Sequence, residues 1–149
     1  MPETRFEDFV GIISALGKEI QRIKTAEARR LGFRGSDGMC LYYLVKNPEG
    51  LTASELARLV DVSRAAMSRT VSHLEEDGLV EVGAEEGDAA KYRAPVRLTE
   101  KGREAARPLD DIIHRVLDEA GGELAARQRL QMYDSLNHIL ERLRSFGRD

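Results

Sequence analysis

Phe6, Phe9, Val10, Ile13, Leu16, Ile20 and Ile23 recur at three- and four-residue steps and describe an amphipathic helix from about Thr4 to about Arg30. That is long for a globular helix. Gly32-Phe-Arg-Gly35 ends it, Ser36 can cap a second helix, and the segment Asp37 to Asn47 offers Met39, Leu41, Tyr42, Leu44 and Val45 to a core. Pro48-Glu-Gly50 then turns the chain. Thr52 and Glu55 stand at capping-box spacing, and Leu56, Leu59 and Val60 give the short helix behind them one apolar face. Asp61-Val62-Ser63 breaks that period. Ser63 is a good N-cap for a helix from Arg64 to Asp77, which Gly78 can close in the left-handed conformation. A connection of only a few residues between two such helices is what a helix-turn-helix requires.

Past Gly78 the period changes from helical to alternating. Leu79-Val-Glu-Val82 is β-rich, Glu85-Glu-Gly-Asp88 has turn composition, and Lys91 to Leu98 alternates strictly. Tyr92, Ala94, Val96 and Leu98 point one way, and Lys91, Arg93, Pro95 and Arg97 the other, as in a half-buried antiparallel strand with a cationic outer face. Pro95 cannot donate to a ladder, which places it at an edge or on a side without a partner. Thr99 caps a helix beginning at Glu100; Pro108 lies inside it and predicts a kink or a restart. Ile112, Ile113, Val116 and Leu117 continue its apolar face until Gly121-Gly122. A last helix, about Glu123 to Phe146, carries Leu130, Tyr133, Leu136, Leu140, Leu143 and Phe146. The pattern predicts an α+β, mostly helical fold: a winged helix-turn-helix with long N- and C-terminal helices. Those terminal helices hold more apolar stripe than a domain of this size buries alone, and the economical partner is a second copy, forming a two-fold helical dimerisation platform.

In the helix from Arg64, Met67, Val71 and Leu74 fall at i, i+4 and i+7 and point inward. The other face carries Arg64, Ala65, Ser68, Arg69 and Ser72. Two guanidiniums, two hydroxyls and a methyl without any acid are the groups that read base edges and hold phosphates in a major groove. A plain solvated surface would also explain this helix taken alone, but such a surface usually mixes both signs of charge, and the cationic hairpin that follows favours the DNA reading.

Four motifs now stand in order. Leu-Thr-x-x-Glu-Leu-Ala at 51 to 57, Val-Ser-Arg-x-x-x-Ser-Arg at 62 to 69, Leu-Glu-x-x-Gly-Leu-Val at 74 to 80 and Leu-Thr-Glu-Lys-Gly at 98 to 102 together resemble the multiple antibiotic resistance regulator (MarR) family. The resemblance implies a homodimeric, ligand-responsive transcriptional regulator, with the helix from Arg64 in the major groove and the wing beside the minor groove. It also implies one domain over 1–149, with 1–35 and 100–149 as platform and 36–99 as DNA-binding core. The family's wing usually carries Asp-x-Arg shortly before its second strand. This chain has Asp88-Ala-Ala-Lys-Tyr-Arg93 instead, beside an acidic tip of Glu85, Glu86 and Asp88, so the wing's contact is assigned to Lys91 and Arg93, nearer its base. The candidate DNA-binding residues are therefore Ser63, Arg64, Ala65, Ser68, Arg69, Ser72, Lys91 and Arg93.

Charge and composition refine this without reversing it. Over 149 residues the formal net charge is −3, which argues mildly against a nucleic-acid partner. Its distribution argues the other way: between Ser63 and Leu74 there are two arginines and no acid, and from Lys91 to Arg103 five cations face Glu100 alone. The single cysteine, Cys40, excludes an intramolecular disulfide framework. It stands beside Met39 and Leu41, away from the first helix where peroxide-sensing relatives carry theirs, and reads as a packed thiol in preference to a redox sensor. His73, His114 and His138 are scattered over three helices without a metal-binding pair; His73, next to the reading face, could touch a phosphate or only the surface. Tyr42 and Tyr43 point about 100° apart on a helix: one suits the core, the other the crevice where relatives bind aromatic effectors. No nucleophile set, Gly-rich phosphate loop or carboxylate pair marks an enzyme, and no cofactor is expected. With no apolar span and no basic-then-apolar N-terminus, a cytoplasmic protein is expected. The rival readings are a winged-helix protein-interaction module without DNA and a redox regulator acting through Cys40.

Overall fold

The computed structural model describes residues 5–83 and 94–148. In chain order these form α1 (Phe6–Arg30), α2 (Asp37–Lys46), α3 (Ala53–Val60), α4 (Arg64–Glu76), β1 (Val80–Val82), β2 (Val96–Leu98), α5 (Glu100–Ala120) and α6 (Ala126–Ser145). The chain divides into two compact units, residues 1–113 and 114–149.

In the first unit, Leu41 and Leu44 of α2, Leu56 of α3, Met67 and Leu74 of α4, Val96 of β2 and Leu109 and Ile113 of α5 are fully enclosed. Each lies on the apolar face of its own element, so burying one core satisfies five elements together. The short helix α3 turns differently from its expected register: Leu56, Ala57 and Val60 are buried, while Leu59 is 43% exposed. At 100° per residue, positions 56, 57 and 60 cluster on one side and position 59 falls to the rim, so the small Ala57 takes the inward place expected of Leu59.

The two strands pair antiparallel, with Val80 opposite Leu98, Glu81 opposite Arg97 and Val82 opposite Val96. Burial alternates along the second: Ala94, Val96 and Leu98 are enclosed and Arg97 is exposed. Val96 also exchanges two backbone hydrogen bonds with Leu51 (3.1 and 2.8 Å) on the flank away from β1. β2 is thus held on both sides, and Pro95 is tolerated because it stands at the ladder's end. There its carbonyl accepts from the Gly83 amide at 2.8 Å.

α5 runs unbroken through Pro108, so of the expected kink or restart the restart does not occur. Glu104, whose carbonyl loses its i+4 amide to the proline, is exposed, as is Pro108, and water can serve that carbonyl. In the second unit, the Gly121 amide donates to Leu117 and the Gly122 amide to Glu119 (3.1 and 3.2 Å), ending α5 where the glycine pair predicts. No residue of α6 is buried, and Leu130, Tyr133, Leu140, Leu143 and Phe146 are all exposed. On α1, within the first unit, Phe6, Val10, Ile13 and Leu16 are exposed likewise. Among the described residues no helix is long and apolar enough to cross a membrane.

Candidate nucleic-acid interface

Local chemistry sets α3 and α4 before any ligand is considered. The Thr52 hydroxyl accepts from the Glu55 amide and the Glu55 carboxylate accepts from the Thr52 amide, both at 3.1 Å, which is the reciprocal capping box the sequence predicts. Asp61 closes α3 at φ +62°, the left-handed region that short polar side chains tolerate. The Val62 amide bonds back to Ala57 at 3.0 Å, and the Ser63 hydroxyl accepts from the Ala66 amide at 3.1 Å to start α4. Gly78, at φ +74°, ends it.

With Met67, Val71 and Leu74 buried, the opposite face of α4 is fixed. Ser63, Arg64, Ala65, Ser68, Arg69 and Ser72 are all exposed, so the structure brings these six candidates onto one surface. The first turn holds no acid, and Arg64 and Arg69 have no ion-pair partner among the described residues, so both guanidiniums and the helix N-terminus present uncompensated positive charge. Lys91 and Arg93, with the acidic tip, lie outside the described residues. The cations nearer α5 are engaged within the fold. Lys101 Nζ donates to the Asp77 carbonyl at 2.8 Å, closing the end of α4. Arg103 donates to the Leu98 carbonyl (3.2 Å) and pairs with Glu100 (2.9 Å), and Arg97 Nε donates to the Glu49 carbonyl (2.9 Å). The cationic run counted from the sequence is therefore partly scaffold.

Residues 31–90, which hold the whole helix-turn-helix, match the MarR family model. Over that stretch the chain is similar to the MarR family. Its fold agrees over nearly the full length with a MarR-family transcriptional regulator from Silicibacter pomeroyi, at 21% identity and a TM-score of 0.76, covering 99% of each chain. It is also similar to a Mycobacterium tuberculosis MarR family protein solved in complex with DNA (24% identity, TM-score 0.59, 86% of this chain and 94% of that one). A third similar structure is Staphylococcus aureus MarR in complex with salicylate and kanamycin (16% identity, TM-score 0.72, 95% and 93%). No curated relative matches by sequence.

Two further α4 residues, Thr70 and His73, join that helix to α2. Thr70 Oγ1 lies 2.6 Å from Ser36 Oγ. His73 Nδ1 lies 3.2 Å from Asp37 Oδ2 and Nε2 lies 3.5 Å from Asp77 Oδ2, so the ring faces two carboxylates of its own chain. The spacing of Thr70 and His73, i and i+3 on one helix flank, was the available signal, but their α2 partners are more than thirty positions away and invisible to periodicity.

Cys40 is fully buried, and desolvation, with Asp37 adding to it, pushes its thiol up to about 12. The thiolate that would react with an oxidant is therefore scarce at neutral pH. Cys40→Ser should leave DNA affinity within a few-fold and remove no oxidant response; loss of binding on peroxide treatment that vanishes in the variant would reverse this assignment. Among the described residues no group of three His, Cys, Asp or Glu side chains could hold a metal ion.

Of the tyrosines, Tyr42 is the core residue and Tyr43 is half-buried, their rings edge to face at 5.5 Å. The Lys24 ammonium sits 4.5 Å from the Tyr42 ring centre. Burial and then the charge of Lys46 push its pKa down. A separate cavity of about 220 Å³ opens within the first unit, lined by the apolar Leu44, Val45, Pro48 and Leu98 and the charged Arg103, Arg107 and Asp110. Asp110 pairs with Lys46, which leaves the arginines as the groups that would meet an anion. Tyr43, the effector-crevice candidate, does not line it.

Proposed function

We propose that this chain is a sequence-specific, DNA-binding transcriptional regulator, a ligand-responsive repressor that binds a pseudo-palindromic operator as a homodimer. The observation that carries this reading is the exposed, acid-free face of α4. On it Arg64, Arg69, Ser68 and Ser72 stand free of the fold's own bonds, on a helix whose capping fixes its start. In that role the arginines meet guanine edges, the serines meet bases or phosphates, and Ser63 offers its hydroxyl hydrogen and the α4 N-terminus to a phosphate. Lys91 and Arg93 serve the wing. The DNA complex of the Mycobacterium tuberculosis relative supports the partner, although the likeness itself is one of fold.

The exposed stripes of α1 and α6, which have the composition of an interface core, support the homodimer. Residues 1–35 and 100–149 then form the platform and 36–99 the DNA-binding part of a single functional domain. A dimer presents two α4 helices to half-sites spaced by about one helical turn or a multiple of it, and occupancy of the operator excludes polymerase. The effector belongs in the cavity beside Leu44, Val45 and Leu98. Its apolar lining with Arg103 and Arg107 suits an aromatic or amphipathic anion, in keeping with the salicylate bound by the Staphylococcus aureus relative.

Selection of bound fragments from the host genome tests the reading, followed by a screen for small molecules that release them. Fragments sharing a pseudo-palindrome are expected. A winged-helix module serving only protein contacts would retain no fragment above a scrambled control.

A further inference from the structure

The turn between α1 and α2 carries two arginines that the fold itself does not use. Arg29 and Arg34 are exposed and, among the described residues, have no ion-pair partner, whereas Arg30 is paired with Glu27 at 3.2 Å. With Gly32, Phe33 and Gly35 they line one surface hollow of about 520 Å³, and no acid lines it. Asp37, the next acid along the chain, faces His73 at 3.2 Å. The turn is held firmly. The Gly32 amide donates to the Arg29 carbonyl and the Phe33 amide to the Ala28 carbonyl, both at 3.0 Å, and Phe33 packs against the core. Gly38 lets α2 pass close to α1, since a Cβ there would stand 2.6 Å from Ala28 Cβ. The place of the turn beside α4 is fixed as well: Ser36 Oγ lies 2.6 Å from Thr70 Oγ1, and Asp37 meets His73. Thr70 follows Arg69 directly and His73 lies one helical turn beyond it, so the α1–α2 turn adjoins the Arg69 edge of the reading face.

We propose that Arg29 and Arg34 clamp the sugar–phosphate backbone bordering the groove that α4 reads. A helix lying in a major groove about 12 Å wide has a phosphate backbone along each side, so an element packed against its flank meets phosphates before bases. Guanidinium forks match phosphate oxygens in pairs, and two unpaired forks on one acid-free hollow suit a phosphodiester better than any neutral partner. The contact carries no sequence information; it sets the register at which Arg64, Ser68, Arg69 and Ser72 meet the bases. The proposal rests on α4 being the DNA-reading element and extends the DNA surface beyond α4 and the wing.

The test measures the affinity of the full-length chain, Arg29→Gln, Arg34→Gln and the double variant at several salt concentrations. The probes are a duplex that the protein has selected from a random-sequence library and a singly mismatched copy of it. At about 0.1 M salt each phosphate contact removed should cost roughly three- to tenfold in affinity, equally on both duplexes, and make the logarithmic salt slope shallower by about one, both effects counted twice in a dimer. Arg30→Gln is the control. It removes the same charge from the same surface, but one already paired within the fold, and should change neither quantity. Neutral methylphosphonates placed one at a time along the duplex locate the contact: a substitution that weakens the unaltered chain should cost the double variant nothing at that phosphate. A double variant with the affinity and salt slope of the unaltered chain would overturn the proposal, as would an Arg30→Gln effect equal to that of Arg34→Gln, which would reduce the clamp to general charge. If no duplex can be selected, the DNA reading falls and the clamp with it, an outcome distinct from an unchanged double variant on a duplex that the protein still discriminates.

Discussion

Replacing Gly102 with alanine should lower the thermal midpoint by about 6 to 12 °C, corresponding to roughly 3 kcal/mol in a chain of this size. A Cβ at this position would lie 1.9 Å from the Leu79 carbonyl oxygen, 2.9 Å from the carbonyl carbon and 3.2 Å from Leu98 Cδ2. The obstacle is backbone and cannot swing aside. That same carbonyl accepts from the Thr99 amide at 3.0 Å, while the Thr99 hydroxyl donates to the Gly78 carbonyl at 2.6 Å and accepts from the Gly102 amide at 3.0 Å. Moving Leu79 therefore loosens the end of α4, the entry to β1 and the start of α5 together. Gly11 and Gly17 of α1 provide the internal control, because a Cβ at either meets nothing within 4 Å. Alanine there should stabilise by up to about 1 kcal/mol through helix propensity alone. Calorimetry on the three variants checks both signs, and an unchanged midpoint for Gly102→Ala would contradict the packing described.

The second large effect is expected at the terminal helices. Asp at both Leu136 and Leu140 places two carboxylates on the apolar side of α6, which has no buried residue within its own chain and shows Leu140 43% exposed. If a second copy covers this face, each carboxylate is desolvated without a partner, at a cost of several kcal/mol, and the platform cannot close. The expected product is an unfolded or aggregating chain, as for removal of residues 1–25. Sedimentation decides: a well-folded monomer from either change would contradict the shared platform.

Much of this was legible in the sequence because the decisive signals are local. The Thr52–Glu55 capping box, the Ser63 cap, the closing Gly78 and the inward triad Met67, Val71 and Leu74 all lie within a few residues of what they determine. The same triad fixed the outward face, which is why six of the eight DNA-binding candidates stand on one exposed surface; Lys91 and Arg93 lie outside the described residues. What local patterning missed depends on partners far along the chain. The i, i+3, i+4 period of Leu56, Leu59 and Val60 turns Leu59 inward, yet the neighbouring elements meet Ala57. Lys101 and Arg103 read as free charge in the sequence, but the carbonyls of Asp77 and Leu98 accept from them. His73 looked like a surface or phosphate-touching residue until Asp37 was placed against it across α2 and α4. Pro95 looked like an edge residue because the Leu51 bridge that holds the other side of β2 spans 45 positions of sequence.

The measurement that bears most directly on the central claim is the affinity of Arg64→Ala and Arg69→Ala for a matched and a singly mismatched operator duplex at several salt concentrations. At least one of these arginines should lose about 1 to 3 kcal/mol of discrimination at one symmetric pair of base positions, the worth of a bidentate guanine contact. Lys91→Ala and Arg93→Ala should instead weaken binding to every sequence and make the logarithmic salt slope shallower by about one for each phosphate contact removed. If both α4 variants bound the matched duplex as tightly and as selectively as the unaltered chain, α4 would not be the reading element.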